Sequence, residues 1–145
     1  MLQKQRDLLN KDITNIMEQI NSPICSIPGI GTWLGAIIIS EIGDITRFKS
    51  ATKLLAYAGL DPSVRQSGNF NATNTKMSKR GSKHLRYAIT QAANLIIWNN
   101  ATFHNYYTTK MGQGKPHSNV VGHIAHKLTR VIFKLLTENT TFNLS

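Results

Sequence analysis

At 145 residues the chain is long enough for one domain with a buried core, and its 41% hydrophobic content argues against wholesale disorder. Its longest apolar run, Leu34–Ile39, is too short to cross a membrane, and residues 1–20 are too polar for a signal peptide. We therefore expect a cytoplasmic protein with no membrane partner. Because Cys25 is the single cysteine, an internal disulfide and a cysteine-based zinc site are excluded. The apolar neighbours of Cys25 predict a buried thiol.

The formal net charge of +10 is concentrated in the middle of the chain. Residues 1–46 hold three basic and five acidic side chains. Residues 47–86 hold nine basic side chains and one acidic side chain, and residues 87–145 hold five basic side chains and one acidic side chain. The middle segment therefore carries +8, and a clustered field of that sign attracts nucleic acid with a strong salt dependence. We expect DNA as the partner. The alternative is a basic surface that serves only solubility.

Residues 1–21 predict a helix with a heptad seam, interrupted by Arg6. The apolar seam positions are Leu2, Leu9, Ile13, Ile16 and Ile20. Two interpretations stay open. The helix packs on its own domain, or it is the end of a longer coiled coil that joins copies of the chain into a homo-oligomer.

The next segment predicts a helical hairpin whose turn is Ile27-Pro28-Gly29-Ile30-Gly31, followed by a helix from Trp33 to Glu41. Backbone N–H groups of such a turn, at a helix N-terminus, can hold a phosphate. The pattern is typical of a helix-hairpin-helix, which binds the DNA backbone without reading sequence. We therefore expect DNA contacts at Pro28, Gly29 and Gly31. The alternative is a tight turn used only for packing.

Four further helical features follow in chain order. Ser50 is a suitable N-cap for a helix over Ala51–Ala58, and Gly59 has the place of a left-handed C-cap. A helix resumes near Ser82, with an apolar stripe that reaches Trp98. A short helix over Thr102–Lys110 precedes a last helix capped by Ser118. The predicted fold is mainly α, with one helical domain over residues 22–138 and a frayed tail over 139–145.

A long polar loop, Asp61–Met77, separates the two groups of helices, and its residues 64–72 are compatible with a short β-hairpin about Gly68. Loops of this length in a compact domain are usually functional or disordered. The loop and the helix start that follows it are rich in cations, which we expect to contact DNA phosphates. These cations are Arg65, Lys76, Lys79, Arg80, Lys83 and Arg86.

Ser67 is the candidate nucleophile of this basic segment, because Gly68 beside it leaves room for a phosphate and the nearby cations can stabilise a phosphoryl transition state. The alternative is an ordinary turn serine, and Ser63, Ser78 and Ser82 compete for the role. No metal site is predicted. The helical acidic pair Glu41 and Asp44 is expected to face solvent or to pair with Arg47, and the histidines at 123 and 126 lack a third ligand.

The order of these pieces resembles the C-terminal transposase domain of the insertion-sequence one-ten / one-sixteen family, also called the DEDD or bridge-RNA-guided transposases. The resemblance covers about Ile27 to Leu136 and is most specific in the motifs AYAGLDP, QSG and SKRG. It implies that the serine of QSG, Ser67, attacks a DNA phosphate during transposition. It also implies a guide RNA as a further partner.

The family pattern includes an N-terminal resolvase-like domain whose four acidic residues hold Mg²⁺, and this sequence contains none of it. We therefore expect a fragment, a truncated open reading frame or a relic. It is expected to have no cofactor of its own and to be inactive unless another polypeptide supplies the acidic residues and Mg²⁺. The expected function is DNA binding and serine-dependent strand transfer. The alternatives are a non-catalytic DNA- or RNA-binding module and a helical dimerisation adaptor.

Overall fold

The computed structural model describes residues 2–60 and 81–143, and within these ranges the chain is mainly helical, as predicted. Two single turns of 3₁₀ helix, Pro23–Ser26 and Ile45–Arg47, lie among the α-helices. The α-helices are α1 (Leu2–Ile20), α2 (Thr32–Ile42), α3 (Ala51–Ala58), α4 (Lys83–Ile96), α5 (Ala101–Gly112) and α6 (His117–Glu138). None of these helices is long and apolar enough to cross a membrane. The predicted β-hairpin over residues 64–72 lies outside the described residues.

The core is built around α4, which packs against α6 on one side and α2 on another, while α3 also lies on α6. The predicted apolar stripe of α4 is confirmed up to Ile97, whereas Trp98 at its end is exposed. The buried members are Leu85, Ala88, Ile89, Ala92, Ala93, Ile96 and Ile97. Ala92 and Ala93 in this stripe have small side chains, so a neighbouring helix can approach closely. Thr129 on α6 is the buried polar side chain of this core, and its Oγ1 donates to the Ala125 carbonyl oxygen at 2.8 Å.

Local caps set the ends of α3 and the start of α4, as the sequence predicts. Ser50 Oγ accepts a hydrogen bond from the Lys53 backbone N–H at 3.3 Å, and Gly59 ends α3 in the left-handed conformation at φ 72°. Ser82 Oγ accepts from the Leu85 N–H at 2.9 Å and so begins α4. Each cap satisfies backbone groups that a helix end leaves without a partner.

The predicted cap of the last helix is wrong, because α6 begins at His117 and Ser118 already lies in its first turn. Pro116 stands at the N-cap position with an extended backbone, φ −63° and ψ 147°. Its carbonyl oxygen accepts from the N–H groups of Asn119 and Val120, both at 3.1 Å. The rigid φ of proline and this carbonyl therefore start the helix without a side-chain cap.

Helix α1 contacts α2 through a small part of its surface. Met17 is its one buried residue, and Ile13 is partly buried, while the other seam residues are exposed. Cys25, just after α1, is exposed as a residue, although its apolar neighbours favour a buried thiol. A Cβ on Gly35 of α2 would lie 2.8 Å from Cys25 Sγ, so the sulfur itself faces α2.

The end of the chain, expected to fray, is held at two points. Asn139 ends α6 in a left-handed conformation at φ 53°, and the Thr140 N–H donates to the Leu135 carbonyl oxygen at 3.1 Å. The Phe142 N–H then donates to Ser26 Oγ at 2.8 Å, and the Phe142 side chain packs partly against the core. Residues 139–143 therefore run back to the segment that follows α1.

Candidate nucleic-acid interface

The turn between the first 3₁₀ helix and α2 combines two buried anchors with two exposed glycines. Ile27 and Ile30 are 1% and 4% exposed and fix the turn to the core, whereas Gly29 and Gly31 are exposed. The first arm of the predicted hairpin is a single 3₁₀ turn rather than an α-helix. Gly31 is the N-cap of α2 and makes no side-chain cap, so first-turn N–H groups face outward without a side-chain acceptor.

The two glycines of this turn have different physical roles. Gly29 has φ +90°, and a Cβ there would lie 2.9 Å from Leu95 Cβ on α4, so close packing requires glycine. Gly31 has φ −85°, and a Cβ there would meet no atom within 4 Å. Packing therefore explains Gly29, while the space beside Gly31 is open to an outside group.

A second contact that depends on a glycine lies around Tyr57 and joins the end of α3 to the residues just before α4. A Cβ on Gly81 would overlap the Tyr57 carbonyl oxygen, and the Ser82 N–H donates to that same oxygen at 2.7 Å. Leu60 is three residues beyond Tyr57, so at most about 11 Å of backbone separates them. The points where the described chain stops and resumes therefore lie together, and we call Tyr57–Leu60 with Gly81–Ser82 the junction.

Two predicted DNA-contacting cations stand at this junction. Arg86 is half-buried, and its Nη1 lies 2.8 Å from where a Cβ on Gly59 would be. Lys83 is exposed in the first turn of α4, which holds no acidic residue. Cations at a helix N-terminus are electrostatically unfavourable, so this placement costs stability and is typical of a surface selected to bind anions.

Arg47, another cation of the middle segment, is held by its neighbours. Its Nη2 donates to the Glu41 carbonyl oxygen at 3.1 Å, and its guanidinium lies 4.8 Å from the Phe48 ring centroid and 5.0 Å from that of Tyr57. Arg47 therefore stabilises the junction through its contact with the ring of Tyr57. Of the two alternatives predicted for Glu41 and Asp44, Asp44 faces solvent, and Arg47 contacts the backbone carbonyl of Glu41 in place of a carboxylate.

The predicted DNA-contacting residues that lie in the described part of the chain do not form one cluster. The turn with Gly29 packs against Leu95 near the C-terminal end of α4, whereas Arg86 lies near its N-terminal end. Nine residues of helix separate these positions, about 14 Å along the axis. Five further members of the predicted site lie outside the described residues: Ser67, Arg65, Lys76, Lys79 and Arg80.

A groove between α4 and α6, which the sequence analysis did not find, opens beside the junction. Its volume is about 380 Å³. It is lined by Leu60 and by the polar groups of Arg86, Thr90, Asn94, His117 and Ser118. The four-residue spacing of Arg86, Thr90 and Asn94 on α4, beside the apolar stripe, is the sequence signal that points to this face.

The chain has no Asp or Glu between Asp61 and Glu138, so α4, α5 and nearly all of α6 are free of negative side chains. The exposed cations of this region include Lys83 on α4, Lys115 in the turn between α5 and α6, and Lys127 on α6. A polyanion approaching this half of the molecule meets no opposing carboxylate. The charge pattern therefore extends the basic surface beyond the segment that the sequence analysis singled out.

Chemistry based on a metal cluster has little basis in the described ranges. No three His, Cys, Asp or Glu side chains come together there. Asp44 is a cap: its Oδ1 accepts from the N–H and Oγ1 of Thr46 at 2.9 and 2.7 Å, and these bonds lower the pKa of its carboxyl. We assign no metal ligand to the residues at the junction or the groove.

Comparison with known proteins gives a consistent set of relatives. Residues 21–108 match the family model described as Transposase IS116/IS110/IS902 family. The chain is 26% identical over 141 residues to the insertion element IS110 uncharacterized 43.6 kDa protein of Streptomyces coelicolor, covering 96% of this chain and 35% of that protein. It is 29% identical over 123 residues to the pilin gene-inverting protein of Moraxella bovis, covering 84% of this chain and 38% of that protein.

A third relative is the transposase for insertion sequence element IS1328 of Yersinia enterocolitica, 30% identical over 124 residues, with 83% of this chain and 36% of that protein covered. The chain therefore spans little more than a third of the length of these curated relatives. The matched region includes the turn, the junction and α4 with its flanking cations.

Proposed function

Because this chain belongs to the transposase IS116/IS110/IS902 family, we propose that it is the DNA-binding and serine-nucleophile domain of a DNA transposition or recombination enzyme. In this proposal Ser67 attacks a DNA phosphodiester. Arg65, Lys76, Lys79, Arg80, Lys83 and Arg86 bind the DNA backbone. A separate acidic domain supplies the Mg²⁺ that such a reaction uses.

The observation that carries the proposal is the junction. Gly81 and Ser82 are fixed against Tyr57, so the two described residues that flank positions 61–80 in the sequence, Leu60 and Gly81, lie close together. Arg86 and the exposed Lys83 stand beside them. In the proposal these cations stabilise the phosphoryl group that Ser67 attacks.

The proposed reaction has two balanced exchanges. In the first, Ser67 Oγ bonds to phosphorus, the bond from phosphorus to one strand oxygen breaks, and the hydroxyl proton ends on the departing oxygen. In the second, a strand hydroxyl attacks the phosphoserine and restores the serine. One phosphoester replaces another at each step, so the number of phosphoester bonds is conserved without ATP.

The test of this chemistry uses the chain together with the acidic domain of a relative, Mg²⁺, a guide RNA where the element encodes one, and end-labelled DNA bearing the element's ends. A covalent protein–DNA adduct is expected on denaturing electrophoresis, and peptide mapping should place it at Ser67. Ser67→Ala should abolish the adduct, while Ser78→Ala is the matched control and should retain it.

Ser67→Ala should also bind DNA normally, because one neutral hydroxyl adds little to a contact that charge dominates. An adduct that persists in Ser67→Ala, or that maps to Ser78, would show that another serine is the nucleophile. Absence of an adduct from every competent complex would favour the second candidate, a non-catalytic nucleic-acid-binding module. The open approach beside Gly31 favours that second candidate, since it serves backbone binding without chemistry.

The DNA-binding half of the proposal is tested by its salt dependence. Replacing Lys76, Lys79, Arg80 and Lys83 together with Ala should lower the slope of log Kd against log salt by about one unit for each DNA phosphate that the variant no longer neutralises. A matched control replaces Lys4, Arg6, Lys11 and Lys134 and removes the same charge elsewhere. Equal effects of the two quadruple variants would mean that net charge alone, rather than this segment, drives binding.

We further propose that α1 joins two copies of the chain. The exposed fractions of Leu2, Leu9 and Ile16 are 83%, 61% and 54%, so the predicted seam is uncovered by the rest of the domain. Pairing of two such seams would bury these side chains. Sedimentation equilibrium should show a dimer that Leu9→Lys with Ile16→Lys converts to a monomer, and a monomeric native chain would contradict this.

A further inference from the structure

A row of aromatic rings begins at the groove between α4 and α6, with exposed ends at His117 and Trp98 and the half-buried Tyr107 between them. His117, at the groove, has its Nδ1 3.0 Å from the hydroxyl oxygen of Tyr107 on α5, and the two rings meet edge to face at 5.7 Å. Tyr107 in turn packs edge-on against Trp98 at 5.8 Å. The row therefore runs from a polar groove to a tryptophan.

Trp98 is 67% exposed, although it directly follows the buried pair Ile96 and Ile97. Its position is fixed. Its backbone N–H donates to the Leu95 carbonyl oxygen at 3.2 Å, and its ring packs 5.3 Å from the ring of His104. His104 Nδ1 lies 3.2 Å from the Ile97 carbonyl oxygen, which holds that imidazole in place. Trp98 is thus a preorganised aromatic surface facing solvent.

Exposure of a large apolar ring costs stability unless a partner covers it, and the surroundings indicate which partner. Lys115 lies in the turn just before His117, Arg86 lies in the groove, and α4 and α5 carry no acidic residue. Cations at one end and a flat ring at the other fit a ligand that combines phosphates with planar bases.

We propose that the groove and the aromatic row bind an unpaired polynucleotide strand, with a phosphate near Arg86 and a base stacked on Trp98. Tyr107 joins the groove to Trp98, and the exposed ring of Trp98 is a face on which a separated base can stack. A duplex fits poorly, because its base faces are already stacked on one another. The proposal rests on the proposed function only in taking nucleic acid as ligand and does not involve Ser67.

The experiment measures binding of fluorescein-labelled oligodeoxythymidylate to the full chain by anisotropy. Trp98→Ala should weaken binding about tenfold, the order expected for one missing base stack, and Trp98→Phe should recover most of it. Leu8→Ala is the control, because Leu8 is 63% exposed on α1 and is not one of the predicted seam residues, and it should bind as the native chain does. Thermal unfolding of each variant checks that the fold is retained.

Three further arms separate the outcomes. An abasic oligonucleotide should bind weakly and equally to the native chain and to Trp98→Ala. Oligouridylate in place of oligodeoxythymidylate distinguishes an RNA strand from a DNA strand as the preferred source of the same chemistry. Duplex DNA should bind Trp98→Ala as tightly as it binds the native chain.

Equal losses in Trp98→Ala and Leu8→Ala would overturn the proposal, as would a loss that is the same with the abasic strand. If duplex binding is normal and Trp98→Ala binds the single strand as tightly as the native chain, this inference fails while the proposed function stands. Failure to bind any nucleic acid would defeat both.

Discussion

Helices α1 and α4 have similar amphipathic patterns, yet only one of them is covered. Six residues of α4 are buried, whereas α1 buries Met17 alone among its described residues. The difference arises from what surrounds each helix: α4 packs against both α2 and α6, while α1 contacts α2 through its C-terminal half. An apolar period therefore predicts that a face will be buried somewhere, but not by what.

The largest expected effect on the free energy of unfolding comes from comparing one truncation on the apolar face of α4 with one on the apolar face of α1. Ile89→Ala on α4 should lower the free energy of unfolding by about 3 kcal/mol, because Ile89 is fully buried and the change leaves a cavity. Leu9→Ala on α1 should cost under about 0.5 kcal/mol in the isolated monomer, since Leu9 is 61% exposed. Urea unfolding at low protein concentration measures both, and similar losses would erase the contrast between the helices.

A second prediction concerns how the turn after α1 meets α4. Gly29→Ala should cost about 2 kcal/mol, because its φ of +90° strains any other residue and its Cβ would press on Leu95. Gly31→Ala should cost less, about 0.5 kcal/mol, because the space there is open and only the N-cap preference for glycine is lost. If Gly31 also admits the DNA backbone, as proposed, Gly31→Val weakens duplex binding while circular dichroism stays the same.

Should both glycine variants lose stability equally, the turn would be structural throughout, and packing alone would explain it. Calorimetric unfolding of the Gly29 and Gly31 variants, together with duplex binding by each variant, distinguishes a packing role from a role in admitting the DNA backbone.

The cap at the start of α4 gives a smaller effect. Ser82→Ala should cost about 1 kcal/mol, because it removes the acceptor for the Leu85 N–H at the point where the chain re-enters the frame. Ser118→Ala is the matched control and should cost less, since Ser118 makes no cap for α6. Thermal unfolding compares the two, and a larger loss at Ser118 would contradict the observed start of α6.

The smallest effect is kinetic and reports on how firmly α1 is docked. Desolvation raises the pKa of the Cys25 thiol, so at pH 8 a smaller fraction is thiolate than in a free cysteine. Alkylation by iodoacetamide should therefore be severalfold slower than for a model peptide, and the difference should shrink as the pH rises above the raised pKa. Met17→Ala should speed the reaction by loosening the packing of α1 on α2 beside Gly35.

The fold was predictable where its signals are local, and the failures are equally specific. Ser50, Gly59 and Ser82 act through bonds within four residues, so the sequence places the ends of α3 and the start of α4 correctly. Ser118 misled because Pro116, two residues earlier, starts the helix by backbone geometry. Cys25 misled because apolar neighbours in sequence do not fix the exposure of a residue between two helices.

The candidate site was less predictable, because its parts depend on packing between distant segments. The groove exists only where α4 meets α6, and Arg86 and His117 are far apart in sequence. The separation of the glycine turn from Arg86 along α4 likewise follows from the contact of Gly29 with Leu95. Trp98 continues an apolar period yet points to solvent, which periodicity alone cannot reveal.

The hydrogen bond from Ser82 to Tyr57 holds Leu60 and Gly81 close together, so the helical frame presents two neighbouring ends to whatever connects α3 to α4. With both ends fixed at one place, the entropy of closing the connecting segment grows only slowly with its length, about 0.6 kcal/mol for each doubling. Insertions, deletions or exchanges between Leu60 and Gly81 should therefore leave the frame folded. Related chains can therefore differ in length and sequence between α3 and α4 while they keep the same helical frame.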